Sequence, residues 1–145
     1  MRVVPLMAAV IGILAATTAS ADLAGEVASA RERWAAHGPN DYRFTISQGC
    51  YCRRVGRGPV TVTVVDGEVS LRRTSFLDPP VVRTPLHITM PQLFEWIEEE
   101  LRQHPTANFN LEFDSFDGHP TRFKYVEPSV TDSWMTIVVD EFKRL

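Results

Sequence analysis

The sequence predicts an α+β domain in which two helices pack on one face of a roughly six-stranded antiparallel sheet. Two segments carry apolar residues at helical spacing, and each is followed by segments in which apolar and polar residues alternate. Asp66-Gly67 lies between two β-branched runs and is a residue pair typical of two-residue hairpin turns. The predicted order is α-β-β-β-α-β-β-β, a layered α+β architecture.

The segment Met1–Ala21 predicts a secretory signal peptide. Arg2 is its one charged residue, an apolar stretch follows, and Ala19-Ser20-Ala21 offers small residues at a cleavage site. The stretch is shorter than the ~20 residues that span a bilayer, although a retained anchor or a buried helix is an alternative. We therefore expect an exported, periplasmic or extracellular protein whose residues 22–145 form one domain without stable membrane insertion.

The first half of this domain predicts one helix and three strands. Asp22–His37 has one apolar helical face, and Gly38-Pro39 ends it. The alternation in Tyr42–Ser47 predicts a strand with one buried face. A turn at Asp66-Gly67 predicts a hairpin whose apolar side chains share one face, with Val64 opposite Val69 and Val62 opposite Leu71.

The second half predicts another helix and three more strands. A proline-rich connection at 76–87 precedes a helix that begins at Thr89, where Gln92 completes a capping box, and ends before Pro105. Two aromatic strands follow, and a five-residue loop at 116–120 would pair Phe113 with Phe123 and Leu111 with Tyr125. Trp134–Phe142 predicts the last strand.

The motif Cys50-Tyr51-Cys52 contains both cysteines of the chain. Residues two apart in a strand have Cα atoms roughly 6.6 Å apart, and a disulfide accepts about 4.4–6.8 Å. A local disulfide is therefore feasible, more easily where the strand bends. The alternatives are a reactive thiol pair beside Arg53 and Arg54, or a Cu(I) site on two thiolates.

Arginines near the first hairpin are the one local excess of positive charge. They form a candidate contact patch for an acidic partner or an anionic envelope surface, and ordinary solubilising charge is the alternative. The patch comprises Arg53, Arg54, Arg57, Arg72 and Arg73. The net charge of −3 argues against nucleic-acid binding, which needs a strong positive field.

The sequence contains no motif typical of a hydrolase, a zinc protease or a phosphate-binding loop. The aspartates of Asp114-x-x-Asp117-Gly118 lack the spacing of a calcium loop and predict a turn. The histidines lack zinc-ligand spacing and are expected on the surface or in loops: His37, His87, His104 and His119. We expect no catalytic residue, no resident metal and no cofactor.

Several motifs together resemble an uncharacterised family of small exported bacterial proteins. They include Trp34, Asp41-Tyr42-x-Phe44, Cys50-x-Cys52 and Asp66-Gly67, of which Cys50-x-Cys52 is the most specific. The element order also resembles PepSY and β-lactamase-inhibitor-like modules, which are non-enzymatic and often bind exported enzymes. The family resemblance implies export and the fold but no activity. We expect a monomeric, non-enzymatic binding module for an exported or envelope protein; the alternative is a thiol–disulfide or Cu(I)-handling protein.

Overall fold

The computed structural model describes residues 18–51, 59–74 and 88–145, and at 18–20 and 71–74 it describes the backbone alone. The elements are α1 (Thr18–His37), β1 (Tyr42–Cys50), β2 (Val60–Val65), β3 (Glu68–Thr74), α2 (Met90–Gln103), β4 (Asn108–Phe113), β5 (Pro120–Val126) and β6 (Trp134–Arg144). All strand pairs are antiparallel in one sheet of order β3-β2-β1-β6-β5-β4. The α+β class and the element order predicted from the sequence are confirmed.

The core lies between the two helices and one face of the sheet. In β1 the side chains of Tyr42, Phe44 and Ile46 are buried, whereas Arg43 is exposed and Thr45 is half-buried. The helices contribute Val27, Ala30, Trp34, Met90, Leu93, Phe94 and Ile97 to the same apolar cluster. The other face, called here the open face, is therefore not covered by α1 and α2. Among the described residues, no helix combines the length and apolar character needed to cross a membrane.

The second helix begins as the sequence predicts. The Thr89 hydroxyl accepts the Gln92 N–H, and the Gln92 side chain accepts the Thr89 N–H, which completes the capping box. The buried hydroxyl of Tyr42 accepts the Met90 N–H at 2.9 Å and joins this helix start to β1. Arg31 on α1 donates to both carboxylate oxygens of Glu98, at 3.1 and 2.9 Å, and thereby links the two helices.

The turn of the first hairpin is confirmed, but its predicted register is wrong beyond two residue pairs. Asp66 and Gly67 both have positive φ, and Val64 lies opposite Val69 as predicted. Farther on, Val62 lies opposite Arg72 instead of Leu71, because β3 contains a bulge between these pairs. The Ser70 hydroxyl donates to the Thr63 carbonyl at 3.3 Å in the bulge.

The predicted register of the β4–β5 hairpin is also wrong, although the aromatic side chains of the two strands do share one face of the sheet, as predicted. Phe113 lies opposite Pro120, while Leu111 lies opposite Phe123. A bulge next to Glu112 supplies the extra residue that keeps the aromatic side chains on the core face. The connection consequently extends from 114 to 119 and forms part of the structure described next.

Candidate functional site

The two ends of the sheet carry different groups of side chains. One end, called here the Cys50 end, contains the end of β1, the start of β6 and the end of β5. Cys50 lies opposite Met135, and Val126 lies opposite Trp134. The opposite end, called here the His119 end, contains the start of β1, the 114–119 loop and the end of β6.

The structure places part of the predicted cysteine and arginine site at the Cys50 end. Cys50 itself is buried, and Tyr51 after it is 76% exposed. Arg72 and Arg73 lie near the C-terminal end of β3, where Thr74 lies opposite Val60. This end of β3 is the one nearer to the Cys50 end of the sheet. The remaining predicted site residues lie outside the described residues: Cys52, Arg53, Arg54 and Arg57. The disulfide, the thiol pair and the full contact patch therefore stay predictions.

Exposed apolar side chains lie at the Cys50 end on β5, on β6, in the turn between them and directly after β1. Trp134 and Val126 form a cross-strand pair and are each 39% exposed, while Val130 in the turn between them is 54% exposed. A Cβ added to Gly49 would lie 3.4 Å from the Trp134 ring, so the indole packs over the glycine backbone on the open face. We call Tyr51, Val126, Val130 and Trp134 the Trp134 surface.

A cluster of ionisable side chains lies behind this surface, where α2 ends beside the β5–β6 turn. His104 is placed between two carboxylates, with Nε2 3.4 Å from Glu100 Oε2 and Nδ1 3.6 Å from Glu127 Oε2. Its ring stacks on Tyr125 with centroids 4.5 Å apart, and the Thr106 hydroxyl donates to Glu127. Glu127 is 8% exposed. This group brings a histidine, two carboxylates and a phenol together at a partly buried position.

Burial affects the ionisation of this cluster. Burial raises the pKa of the Glu100 carboxyl above its ordinary value, and a positive charge on His104 opposes that rise. Burial also raises the pKa of the Tyr125 hydroxyl, with a further contribution from the negative charges of Glu100 and Glu127. The positions of these groups could not be read from their sequence spacing, because Glu127 comes from a different element.

At the His119 end a second histidine lies in a loop, as expected, but its side chain is buried. His119 is 6% exposed and stacks on Phe142 with centroids 4.1 Å apart. Its Nδ1 lies 2.5 Å from Asp117 Oδ1, and Asp117 Oδ2 lies 3.3 Å from Arg144 Nη2. Arg144 also donates to the His37 carbonyl at 2.7 Å. This network joins the loop, the last strand and the end of α1.

The carboxylates of the 114–119 loop serve turn geometry, as the sequence predicts. The Asp114 carboxylate accepts the N–H groups of Phe116 and Asp117, at 2.8 and 3.0 Å. The Asp117 bond in particular lowers the pKa of the Asp114 carboxyl. Ligand atoms of Asp114, Asp117 and His119 lie within 4.8 Å of one another. The guanidinium of Arg144 lies 3.3 Å from Asp117 and supplies positive charge beside this cluster.

Comparison with known proteins identifies a family and no characterised relative. No curated protein and no solved structure matches the chain. Residues 26–144 match a family described as a family of unknown function, DUF6174. The resemblance to PepSY-like modules and the individual motifs proposed for the family stay predictions. The match covers nearly all of the described domain, and the chain therefore belongs to the DUF6174 family of unknown function.

Proposed function

We propose that the protein is an exported, non-enzymatic binding module that contacts its partner through the Trp134 surface. The observation that carries the proposal is the set of exposed apolar side chains at the Cys50 end: Val126 on β5, Trp134 on β6, Val130 in the turn between them and Tyr51 directly after β1. Tryptophan, tyrosine and arginine are the residues enriched at binding hot spots. Tyr51 and Trp134 supply the aromatic anchors of such a contact.

The charge of the neighbouring segments indicates the chemistry of the partner. Arg53, Arg54 and Arg57 follow Tyr51 directly in the sequence, and Arg72 and Arg73 lie on β3. Positive charge in the sequence that follows an apolar contact residue complements a partner segment that presents apolar side chains flanked by aspartate or glutamate. The proposed partner is therefore an exported or envelope protein with an acidic, apolar-centred segment.

Selection from a displayed random peptide library tests this proposal. Enriched peptides should combine acidic residues with an aromatic or branched aliphatic residue. Trp134→Ala should weaken the selected peptides by about 30-fold, the loss expected for a hot spot of about 2 kcal/mol. Phe116→Ala is the matched control, since Phe116 is 64% exposed at the opposite end. Equal weakening by both variants, or no enrichment, would refute the proposal.

We further propose that Cys50 and Cys52 form a local disulfide that bends the chain between β1 and the arginine-rich segment. Cys50 lies at the end of its strand, where a bend is compatible with a short ring. Thiol titration of the exported protein should find no reactive thiol before reduction. Two titratable thiols together with Cu(I) uptake would instead support the thiol or copper-handling function.

Export by cleavage after Ala21 is compatible with the core. The first core residue of α1 in the described part of the chain is Val27, so removal of residues 1–21 leaves Val27, Ala30 and Trp34 in place. Mass spectrometry of the protein from the exporting compartment should give a chain that begins at Asp22. A chain that retains residues 1–21 would contradict this part of the proposal.

A further inference from the structure

The open face of the sheet carries a polar cleft where β2, β1 and β6 lie side by side. Phe44 and Val62 are fully buried on the core side of these strands, so the residues that alternate with them face the open side. The cleft has a volume of about 720 Å³, within the range of small-molecule sites in proteins. Its polar lining consists of Arg43, Thr45, Thr61, Thr63, Glu141 and Lys143.

Two cations in this cleft lie next to each other. Arg43 on β1 lies directly opposite Lys143 on β6, and both residues are exposed. Neither side chain forms a salt bridge or a hydrogen bond with another residue in the described part of the chain. Like charges directly opposite each other on neighbouring strands destabilise a sheet. The pair is therefore a cost to the fold that a bound anion would remove.

A strained bulge directs the carboxylate of Glu141 into the same cleft. The pairing of β1 with β6 shifts after Arg43, where β6 contains one extra residue, and Glu141 at this bulge has φ +52°. This left-handed conformation is costly for a residue with a side chain and suits glycine. Bulges often re-aim a side chain next to a functional site. Here Glu141 Oε2 accepts the hydroxyl of Thr45 at 2.9 Å, which places the carboxylate on the open face.

The hydrogen-bonding groups of the cleft define the chemistry of its ligand. The hydroxyl of Thr45 has a single proton, which it donates to Glu141, and the Thr61 hydroxyl lies 3.4 Å from the Thr45 hydroxyl. The guanidinium of Arg43 can hold a carboxylate by two parallel hydrogen bonds, and the ammonium of Lys143 adds a second positive charge beside it. Glu141 has a second carboxylate oxygen, Oε1, which can accept a ligand hydroxyl.

We infer that this cleft binds a sugar acid, with the ligand carboxylate between Arg43 and Lys143 and a ligand hydroxyl on Glu141. A simple anion would use the two cations but be repelled by Glu141, whereas a neutral sugar would leave both cations unpaired. A ligand that combines a carboxylate with hydroxyl groups satisfies both parts of the cleft. The inference does not depend on the proposed function, because the cleft lies where β1 begins and β6 ends, toward the end of the sheet opposite the Trp134 surface.

NMR titration of the isotope-labelled protein with glucuronate, glucose and propionate tests the site. Glucose lacks the carboxylate and propionate lacks the hydroxyl groups, so each of these two probes removes one half of the proposed recognition. The backbone amide signals of Thr45, Thr63 and Lys143 should shift saturably with glucuronate. Glucose and propionate should each bind at least about tenfold more weakly, because each loses a hydrogen bond to a charged group.

Three variants assign the effect to the cleft. Arg43→Gln should weaken glucuronate binding by about tenfold or more, because it removes the charged donor. Arg122→Gln is the matched control and should leave the affinity unchanged, since Arg122 is also exposed on the open face but already lies 3.6 Å from Glu112. Glu141→Gly should weaken binding without lowering the midpoint of urea unfolding, because glycine relieves the left-handed conformation. This variant therefore separates a loss of binding from a loss of folding.

Several outcomes would overturn the sugar-acid site. They are the absence of a saturable shift with glucuronate, an equal affinity for glucose or propionate, and equal weakening by Arg43→Gln and Arg122→Gln. Tighter binding of inorganic phosphate than of glucuronate would also overturn it, because phosphate lacks the sugar hydroxyls that Glu141 is inferred to bind. Binding of glucuronate in this pattern, together with failure of the peptide selection, would support the site and refute only the proposed function.

Discussion

Gly118 provides a quantitative test of how closely the 114–119 loop approaches α1. The residue has φ +78°, and a Cβ at this position would lie deep inside the contact distance of the Ala30 carbonyl oxygen and 2.9 Å from Arg33 Cβ. Gly118→Ala therefore combines two costs. The left-handed conformation costs a residue with a side chain about 1–2 kcal/mol, and overpacking costs about 1–3 kcal/mol.

The first hairpin supplies a matched control for the conformational part of that cost. Gly67 has φ +77°, and a Cβ there would meet no atom within 4 Å. Gly67→Ala should consequently lower the free energy of unfolding by only the conformational cost of about 1–2 kcal/mol. Gly118→Ala should lower it by roughly 2–5 kcal/mol, the sum of both costs.

Urea unfolding followed by circular dichroism measures the two variants under the same conditions. The difference between them isolates the steric effect of the loop–helix contact and should be about 1–3 kcal/mol. The slope of unfolding free energy against urea should stay near that of the native protein, since the same surface is exposed on unfolding. Equal destabilisation by both substitutions would refute the close packing of the loop against Ala30.

Three further predictions concern the helix cap and the two ionic clusters. Thr89→Ala should cost about 1 kcal/mol of unfolding free energy in urea denaturation, because it removes the N-cap acceptor of α2. Arg144→Ala should cost about 1–2 kcal/mol in the same assay, since Asp117 is buried but the arginine side chain is half exposed. Glu100→Gln should raise stability at neutral pH. Burial raises the pKa of Glu100 in the folded protein, so the ionised carboxylate opposes folding. The gain in unfolding free energy from Glu100→Gln should therefore vanish as pH falls below the ordinary pKa of glutamate, where the native carboxyl is protonated in both states. Urea unfolding of both proteins at several pH values measures this, and an advantage that grows on acidification would contradict it.

Local sequence patterns predicted the helices and strands, because in each of them the residue propensities and the spacing of apolar residues indicate the same structure. Thr89 with Gln92 gave the start of α2, and Asp66-Gly67 gave the hairpin turn, since these signals act over a few residues. The bulges escaped prediction because a one-residue insertion leaves the turn intact and changes only the pairing beyond it.

The candidate sites were predicted less completely, because they are built from distant segments. Cys50 and the arginines could be identified from residue type and local clustering in the sequence. The pairing of Trp134 with Val126 could not, because it depends on the order of the strands in the sheet. His104 and His119 lie in connections between elements, as expected, but His104 is half-buried and His119 is buried. Their contacts with Glu127 and Phe142 involve segments that the local sequence around each histidine does not reveal.

The central claim is that the Cys50 end of the sheet contacts a partner. Photocrosslinking in the cell that makes this protein tests it most directly, with a photoreactive phenylalanine analogue at position 130 or at position 116. Both residues are more than half exposed, and they lie at opposite ends of the sheet. We predict a specific protein adduct from position 130 that is lost with Trp134→Ala, and none from position 116. An adduct from position 116 alone, or an adduct from position 130 that Trp134→Ala leaves unchanged, would contradict the account.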